Sequence, residues 1–406
     1  MSLEKIIKFN FNLLLLLPVA LISGPMISDF IVILSCLLFF FYFKFFSIEI
    51  FKTKNIYALF FLWLLSSLSS FFSTDFFFSI KSSLFYVRII VFSLAVYSVF
   101  LFNEKKLNLF FYIILSIFII LFIDSNFQKY FGYNLVGIEL SNNVRISSFF
   151  GNELILGSYL VKLYPILVAF MYLIKPKRFF SYFFITSIIT LIPVFYSAEK
   201  TAIIVFLLEF LFITFFIDKN IKAKIIVILS LFFIFLFMFY SNSKIKNRIY
   251  DQMISNSDNF QYLYTRVHTE HYISGLKIFV DHPIIGIGPK MFRKYCNNKE
   301  YKISEFSCTT HPHNYSIQLL AETGILGFLI YIYFYFYLLF DFVKLLFQAK
   351  DNKYKFPLYS LLILNLINFM PLFPSGNFFN NWLSISYSFG FGVYLFMKKK
   401  YDNAHD

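Results

Sequence analysis

The chain has 406 residues, of which 59% are hydrophobic and 14% charged, and its formal net charge is +14. Its mean hydropathy of +0.70 excludes a soluble domain of this length and indicates an all-α protein that crosses a membrane many times. The basic residues are spread over many short loops and form no compact patch. This distribution suits membrane lipid and argues against nucleic acid as a partner.

Apolar runs close to the roughly 20 residues that cross a bilayer recur along the chain. They predict twelve spans, at 9–23, 26–46, 56–72, 84–102, 107–123, 153–174, 179–196, 201–217, 222–240, 314–343, 356–373 and 378–397. Since no small-residue cleavage motif follows the first run, we interpret it as a retained helix and not as a signal peptide.

Lysine and arginine are distributed unevenly between the two sets of alternating loops. Twenty lie on the side that holds both termini, whereas the short loops of the other side hold four: Lys81, Lys129, Arg145 and Lys200. Because basic loops stay on the cytoplasmic side, both termini are predicted to be cytoplasmic.

One connection is long. Residues 241–312 form a loop of 72 residues with ten Lys or Arg and six Asp or Glu, which predicts a small subdomain outside the membrane. Within it, apolar residues at three- and four-residue spacing predict an amphipathic helix over 262–280 that could lie along the membrane surface. The turn that follows, 284–293, contains Gly286 and Gly288. Its glycines allow close approach of an anion, but they match no phosphate-binding fingerprint, and a plain turn explains them equally well.

Cys296 and Cys308 lie twelve residues apart in the long loop. In an oxidising compartment they are expected to form a disulfide that fixes the segment bearing His311 and His313. Zinc binding by the same two cysteines and two histidines is the alternative, although the spacing fits no standard zinc finger.

Several ionisable residues fall inside predicted spans, where a charge is costly and therefore informative, and four of them bear on function. Lys162 and Glu209 are both roughly 12 to 14 Å deep, which favours a buried ion pair that fixes helix packing. Arg88 lies near the outer end of its span. Glu322 lies nine residues after His313, about 180° around a continuous helix, and is not expected to orient that histidine.

The outer ends of the spans and the long loop together carry many cations and imidazoles. The residues are Lys81, Arg145, Lys200, Arg266, His268, Arg293 and His313. Such a group suits a lipid-linked diphosphate, because cations neutralise phosphate charge and an imidazole can accept a proton from an attacking hydroxyl. An activated lipid donor would also remove the need for a nucleotide triphosphate outside the cytoplasm.

Three parts of the chain resemble the O-antigen ligase and polymerase superfamily of bacterial envelope glycosyltransferases. The first is 145–160 (RISSFFGNELILGSYL), and the second is 197–202 (SAEKTA). The third runs from 281–289 (DHPIIGIGP) to 311–316 (HPHNYS) and 322–324 (ETG), and it is the most specific. The resemblance implies a chain with N-terminal helices over 1–144, a catalytic region over 145–343 and C-terminal helices with a cytoplasmic tail over 344–406.

The resemblance also implies an activity. Members transfer a glycan from undecaprenyl diphosphate to an acceptor at the periplasmic face of the inner membrane, without metal or other cofactor. His313 matches the family's proposed base, and Lys200 stands where an arginine is usual, which keeps the charge but loses the bidentate fork. A second diphosphate ligand is expected at Arg266, with His268 and Arg145 as alternatives. Supporting roles are predicted for Arg88, Arg293 and Asn314.

Four functions stay open at this point, among them that of a protein-glycosylating relative of these enzymes. An O-antigen ligase would transfer the glycan to lipid A-core, and a polymerase would add it to another lipid-linked repeat. We favour the ligase. A polysaccharide or lipid transporter is the alternative of another class, with Lys162 and Glu209 as its coupling pair, but transporters usually carry their special residues at the midplane of paired halves. The structural alternative is that His313 only caps the helix that follows it.

Overall fold

The computed structural model describes residues 2–45, 53–140, 144–250, 266–348 and 352–404. These residues form helices and loops with no β-strand, which confirms the predicted all-α class. Twelve helices match the predicted spans: α1 (Leu3–Ser23), α2 (Pro25–Tyr42), α3 (Lys54–Ser69), α5 (Val87–Phe102), α6 (Leu107–Phe131), α7 (Leu156–Ile174), α8 (Phe179–Tyr196), α9 (Lys200–Phe216), α10 (Ile221–Ser241), α14 (Tyr315–Phe347), α15 (Lys355–Asn368) and α16 (Asn381–Asn403). Four shorter ones are α4 (Phe76–Leu84), α11 (Ser243–Tyr250), α12 (Arg266–Asp281) and α13 (Phe292–Tyr295).

Among the described residues, nine helical stretches are long and apolar enough to cross a bilayer, and they confirm a polytopic membrane protein. They do not include α9, α15 or α16, so the count of twelve spans stays a prediction. Helix α15 has 14 residues and rises only about 21 Å. The non-helical segment 369–380 follows it. Irregular backbone at membrane depth is tolerated where it lines a cavity, and this segment does so.

The core of the bundle combines helices from both ends of the chain. Nearly every side chain of α7 from Leu156 to Met171 is buried. Helix α5 packs between α16, α2 and α1, and it contributes a continuous buried stretch from Ile89 to Phe100 apart from Val91. Helix α10, by contrast, buries only three residues and lies at the periphery. Helices from both ends of the chain therefore pack around α5.

Helix α14 is kinked at Gly324, whose φ of +67° lies in the left-handed region. The turn 284–289 packs into this kink, and a Cβ on Gly324 would lie 2.3 Å from the backbone of Ile284. The backbone N–H of Gly288 donates to the carbonyl of Glu322 at 2.9 Å. A Cβ on Gly286 would lie 2.5 Å from the backbone of Glu322 in α14, whereas a Cβ on Gly288 would lie 2.6 Å from the Ser79 hydroxyl. Both glycines thus face protein, as the plain-turn interpretation expects.

Replacing Gly324 with alanine is expected to lower the free energy of unfolding by at least about 2 kcal/mol, from backbone strain and overpacking together. The yield of monodisperse protein in detergent and its melting temperature measure the effect. Gly137→Ala is the matched control, because Gly137 also has positive φ (+85°) but no atom lies within 4 Å of its added Cβ. Equal losses in the two variants would contradict the close contact at Gly324.

The long loop has its own small core, at what we call the loop end of the bundle, the end that carries residues 266–312. Its buried apolar residues are Ile278, Ile287, Met291, Phe292, Cys296, Tyr301 and Ala321. A disulfide joins Cys296 to Cys308, with Cα atoms 5.0 Å apart. Helix α12 crosses the start of α14 so closely that a Cβ on Gly275 would lie 2.5 Å from Ile317. The predicted amphipathic helix therefore packs against protein; its predicted residues 262–265 lie outside the described ones.

Candidate functional site

A cavity of about 840 Å³ opens at the loop end, between α7, α9, α12 and the segment 369–380. Its lining is unusually polar for a site next to membrane-spanning helices. The polar and charged residues that line it are Arg145, Glu153, Ser158, Lys162, Glu199, Lys200, Thr201, Arg248, His268, His311, His313, Asn368, Ser375, Asn380, Trp382 and Tyr387. Four predicted site residues, Arg145, Lys200, His268 and His313, are thus brought together.

Arg145 is held by the backbone of two separate segments. Its Nε donates to the carbonyl of Ser197 at 3.0 Å, and an Nη donates to the carbonyl of Leu154 at 2.8 Å. Burial lowers the pKa of Arg145, and the charge of Glu199 opposes that shift. The guanidinium is therefore fixed in direction and stays a cation in the cavity wall.

A polar network positions the loop that carries Arg145. Ser148, at a φ of +53°, donates from its hydroxyl to Asp124 and from its backbone to Gln128 at 2.7 Å. Asn134 donates to the carbonyl of Ser148 at 3.1 Å. Since the side chains of Asp124, Gln128 and Asn134 are all buried, these bonds are shielded from water and hold the loop firmly.

The turn between α8 and α9 places Lys200 at the cavity and engages Glu199 in hydrogen bonds with the start of α7. The Glu199 carboxylate accepts from the backbone N–H of Gly157 at 2.8 Å and from the Ser158 hydroxyl at 2.5 Å, so it caps the first turn of α7. Burial raises the pKa of Glu199, whereas the Ser158 hydrogen bond and nearby Arg145 lower it. Ala198 has a φ of +51°, which marks this turn as strained.

Four of the six histidines of the chain form a cluster, in which the other three lie around His313. The ring centroids of His311, His268 and His271 lie 4.1, 5.3 and 5.4 Å from the ring of His313. Helix α12 supplies His268 and His271 from one face, because residues three apart on a helix are neighbours. The segment before α14 supplies His311 and His313, so two separate elements build the cluster.

The backbone of His313 is unusual and well supported. Its φ is +58°, a conformation that costs a non-glycine residue of order 1–3 kcal/mol and that concentrates at functional sites. Its carbonyl accepts from the N–H of Ser375 at 2.9 Å. Asn314 caps α14 through the N–H of Ile317 and donates to the carbonyl of Pro371 at 3.1 Å. Asn314 therefore positions His313 and does not itself line the cavity.

The histidines of the cluster are neutral at physiological pH. Burial, together with the neighbouring His268 and His271, lowers the pKa of His313 to about 4. Burial also lowers the pKa of His311 to about 3, with a contribution from His313. A neutral imidazole keeps one nitrogen lone pair free to accept a proton.

The zinc alternative does not fit this site. It needs two thiolates, and Cys296 and Cys308 are joined in a disulfide. Within the part of the chain that the structure describes, no three His, Cys, Asp or Glu side chains converge as metal ligands.

Two predicted supporting residues do not line the cavity of His313, although the charge of Arg293 contributes to lowering the pKa of His311. Arg88 forms an ion pair with Asp29 at 2.8 Å and lines a different, smaller cavity. Arg293 lies with its guanidinium carbon 5.8 Å from the ring centroid of Phe78. Arg266 is the first residue of α12, but its side chain is outside the described part of the structure.

The predicted ion pair between Lys162 and Glu209 is wrong. The Lys162 ammonium donates to the carbonyl of Ser158 at 3.1 Å and lies 5.6 and 5.5 Å from the ring centroids of Trp382 and Tyr387. Glu209 is fully buried and its carboxylate oxygens accept no hydrogen bond from the described residues. Equal depth brought the two groups close enough for their charges to interact but not into contact, because α7 turns Lys162 toward α16 and the cavity.

Two cavity features were missed by the sequence analysis. Arg248, on α11, lines the cavity, and its Nε is buried with no hydrogen-bond partner among the described residues. The second feature is His271, whose ring stacks on that of His313 with the centroids 5.4 Å apart. The spacing of His271 from His268 could have revealed it, since both lie on one helix face. No comparable signal marks Arg248 in the sequence.

Comparison with known proteins agrees with this geometry. Residues 183–332 match the family model described as O-antigen ligase. This match confirms the predicted superfamily and indicates a membrane glycosyltransferase of ligase or polymerase type. The matched segment contains Lys200, Arg248 and all four clustered histidines, whereas Arg145 lies before it. No curated protein matches the chain.

Proposed function

Because residues 183–332 link the chain to the O-antigen ligase and polymerase superfamily, we propose that it transfers a glycan from undecaprenyl diphosphate to an acceptor at the periplasmic face of the inner membrane. The specific role we propose is that of an O-antigen ligase with lipid A-core as acceptor. The observation that carries the proposal is one cavity that combines a neutral imidazole, His313, with the cations Arg145, Lys200 and Arg248.

The cations are suited to a diphosphate. Arg145, Lys200 and Arg248 line the same cavity as His313, and charge-assisted hydrogen bonds to phosphate oxygens are about twice as strong as neutral ones. Arg266, at the start of the helix that bears His268, is a further proposed ligand. A preorganised set of cations stabilises the charge that develops on the leaving diphosphate.

The reaction is a displacement at the anomeric carbon of the donor. The acceptor hydroxyl oxygen forms a bond to that carbon, and His313 takes the hydroxyl proton. The bond between the anomeric carbon and the diphosphate oxygen breaks, and its electron pair leaves with undecaprenyl diphosphate. This direct displacement inverts the configuration at the anomeric carbon. His313 then releases the proton to solvent or to the departing diphosphate and is ready for the next turnover.

The low pKa of His313 predicts the pH dependence of transfer. In the protein without donor, His313 has a pKa of about 4, so its imidazole stays unprotonated well below pH 6.5. The ratio kcat/KM reports the free enzyme and is expected to persist at pH 5.5 and to fall toward pH 4. At saturating donor the acid limb of kcat should lie at higher pH, because bound phosphate stabilises the imidazolium.

Initial rates between pH 4 and 8 at low and at saturating donor measure both limbs. Melting temperature at each pH separates titration from unfolding. A kcat/KM limb at pH 6.5 or above would contradict the role given to burial and to the neighbouring His268 and His271.

The decisive experiment identifies the product. Purified protein in lipid receives a synthetic undecaprenyl-diphosphate glycan with either lipid A-core or the same lipid-linked repeat as acceptor, and products are read by mass. Transfer to core alone supports the ligase, and elongation alone assigns the polymerase instead. Loss of donor from one leaflet of sealed vesicles without a new product would replace both with a transporter.

A further inference from the structure

A second cavity, of about 260 Å³, lies at the loop end between α2, α4, α5 and the turn before α13. It has a basic lining that the proposed transfer reaction does not use. The residues that line it are Asp29, Lys81, Ser82, Phe85, Tyr86, Arg88, Ile89, Lys290 and Asn381. Its volume is close to the lower limit of about 300 Å³ for small-molecule sites, so it suits a compact group.

The charges of this cavity do not balance. Asp29 pairs with Arg88 at 2.8 Å, and the Asn381 amide reaches the other Asp29 oxygen at 3.4 Å. Lys81 and Lys290 form no ion pair with any described residue. Lys81 and Lys290 therefore face one small space without a direct carboxylate partner among the described residues, and Asp75 and Glu322 act on them only at longer range.

Lys290 is held in this position at an energetic cost. Its φ is +61°, in the left-handed region that costs a non-glycine residue of order 1–3 kcal/mol. Burial lowers the pKa of Lys290, the nearby cations Arg293 and Arg88 add to that effect, and the charge of Glu322 opposes it. An anion in the cavity would offset both the burial and the repulsion, since phosphate accepts strong hydrogen bonds from ammonium and guanidinium groups.

Apolar side chains surround the basic residues. Phe85 and Ile89 belong to the lining itself. Met26 is 81% exposed on α2, one turn before Asp29, and Phe77 is 72% exposed on α4, one turn before Lys81. A polar pocket with apolar side chains beside it matches an amphiphile, whose phosphate enters the pocket while its chains stay in the membrane.

We propose that this second cavity binds the phosphate group of a membrane lipid in the leaflet at the loop end. The site is separate from the His313 cavity, although the start of α16 joins them: Asn380 lines the larger cavity and Asn381 the smaller one. Arg88, which the sequence analysis gave a supporting role, belongs to this second site together with Lys81 and Lys290. The inference does not depend on the proposed transfer reaction.

Native mass spectrometry of delipidated full-length protein in a neutral detergent tests the proposal, with phosphatidylglycerol as the probe. We expect the double variant Lys81→Gln/Lys290→Gln to bind this lipid at least about tenfold more weakly than the wild type, because two charge-assisted contacts are lost. The control Lys277→Gln/Lys299→Gln removes the same charge from exposed positions outside the cavity and should change the apparent Kd less than about twofold.

Titration with inorganic phosphate separates a lipid from a free anion as the ligand. Displacement of phosphatidylglycerol only at a large molar excess of phosphate supports the lipid, whereas equal or tighter binding of free phosphate overturns that part of the proposal. Equal lipid binding by the wild type and the cavity variant overturns the site itself. A melting temperature for each variant shows that weaker binding does not come from unfolding.

Discussion

The variant His313→Asn is expected to lower the glycan transfer rate by about 10²–10⁴-fold, the usual contribution of a positioned general base. Asparagine is the sharper choice over alanine, because the φ of +58° at His313 is a conformation that asparagine tolerates well. The variant therefore removes the imidazole and leaves the local backbone undisturbed. Initial rates with a synthetic lipid-linked donor, read by product mass, measure the loss.

His282→Asn is the matched control. His282 lies in the same loop, with its ring 5.9 Å from that of Tyr295, and it does not line the cavity. It should retain the wild-type rate. If His313→Asn retains the wild-type rate while its melting temperature is unchanged, the base is another group and the proposed mechanism is wrong.

The second large effect is expected from the double variant Lys200→Gln/Arg248→Gln. Removal of one preorganised charge donor typically costs about 10²–10³-fold in kcat, so the loss of both should be at least that large. The variant includes Arg248 because the buried Nε of this residue has no hydrogen-bond partner among the described residues. Product formation at saturating acceptor and varied donor separates a loss in kcat from a loss in KM.

The control double variant Lys244→Gln/Lys277→Gln removes two positive charges from the long loop 241–312 and leaves the cavity lining unchanged. This control separates contact with the diphosphate from long-range attraction, which weakens with salt. If the two double variants lose equal activity, and if the loss disappears at high salt, then Lys200 and Arg248 act only through long-range attraction of the donor. The single variant Lys200→Arg should keep the activity, because guanidinium binds phosphate at least as well.

The helices could be predicted because hydropathy is a local property of the chain. Each predicted span overlaps a helix, and the main difference lies in the second span from the C-terminus, predicted over 356–373, where α15 stops at Asn368. Helix α4 was missed, because Asp75 and a group of serines interrupt the apolar run over 76–84. There, the N–H of Phe78 bonds to Asp75 at 3.0 Å and caps a short helix.

The site was predictable only where a motif marked it. His313 and Lys200 stand in segments that resemble the superfamily, and the structure brings both to one cavity. Arg248 reaches that cavity through the tertiary arrangement of α11, which no local pattern encodes. The supposed pair of Lys162 and Glu209 failed for a related reason. Depth along two helices fixes height but not rotation about each helix axis, and rotation decides which side chains meet.

The cavity wall is built partly from the segment that matches the family model and partly from residues after it. This affects how homologues of the chain should be compared. The segment that matches the family model ends at residue 332, yet part of the cavity wall comes from Met370, Ser375, Asn380 and Trp382. The backbone N–H of Ser375 also holds the carbonyl of His313. An alignment of homologues over the matched segment alone therefore includes His313 but omits residues 367–387, which complete the cavity around it.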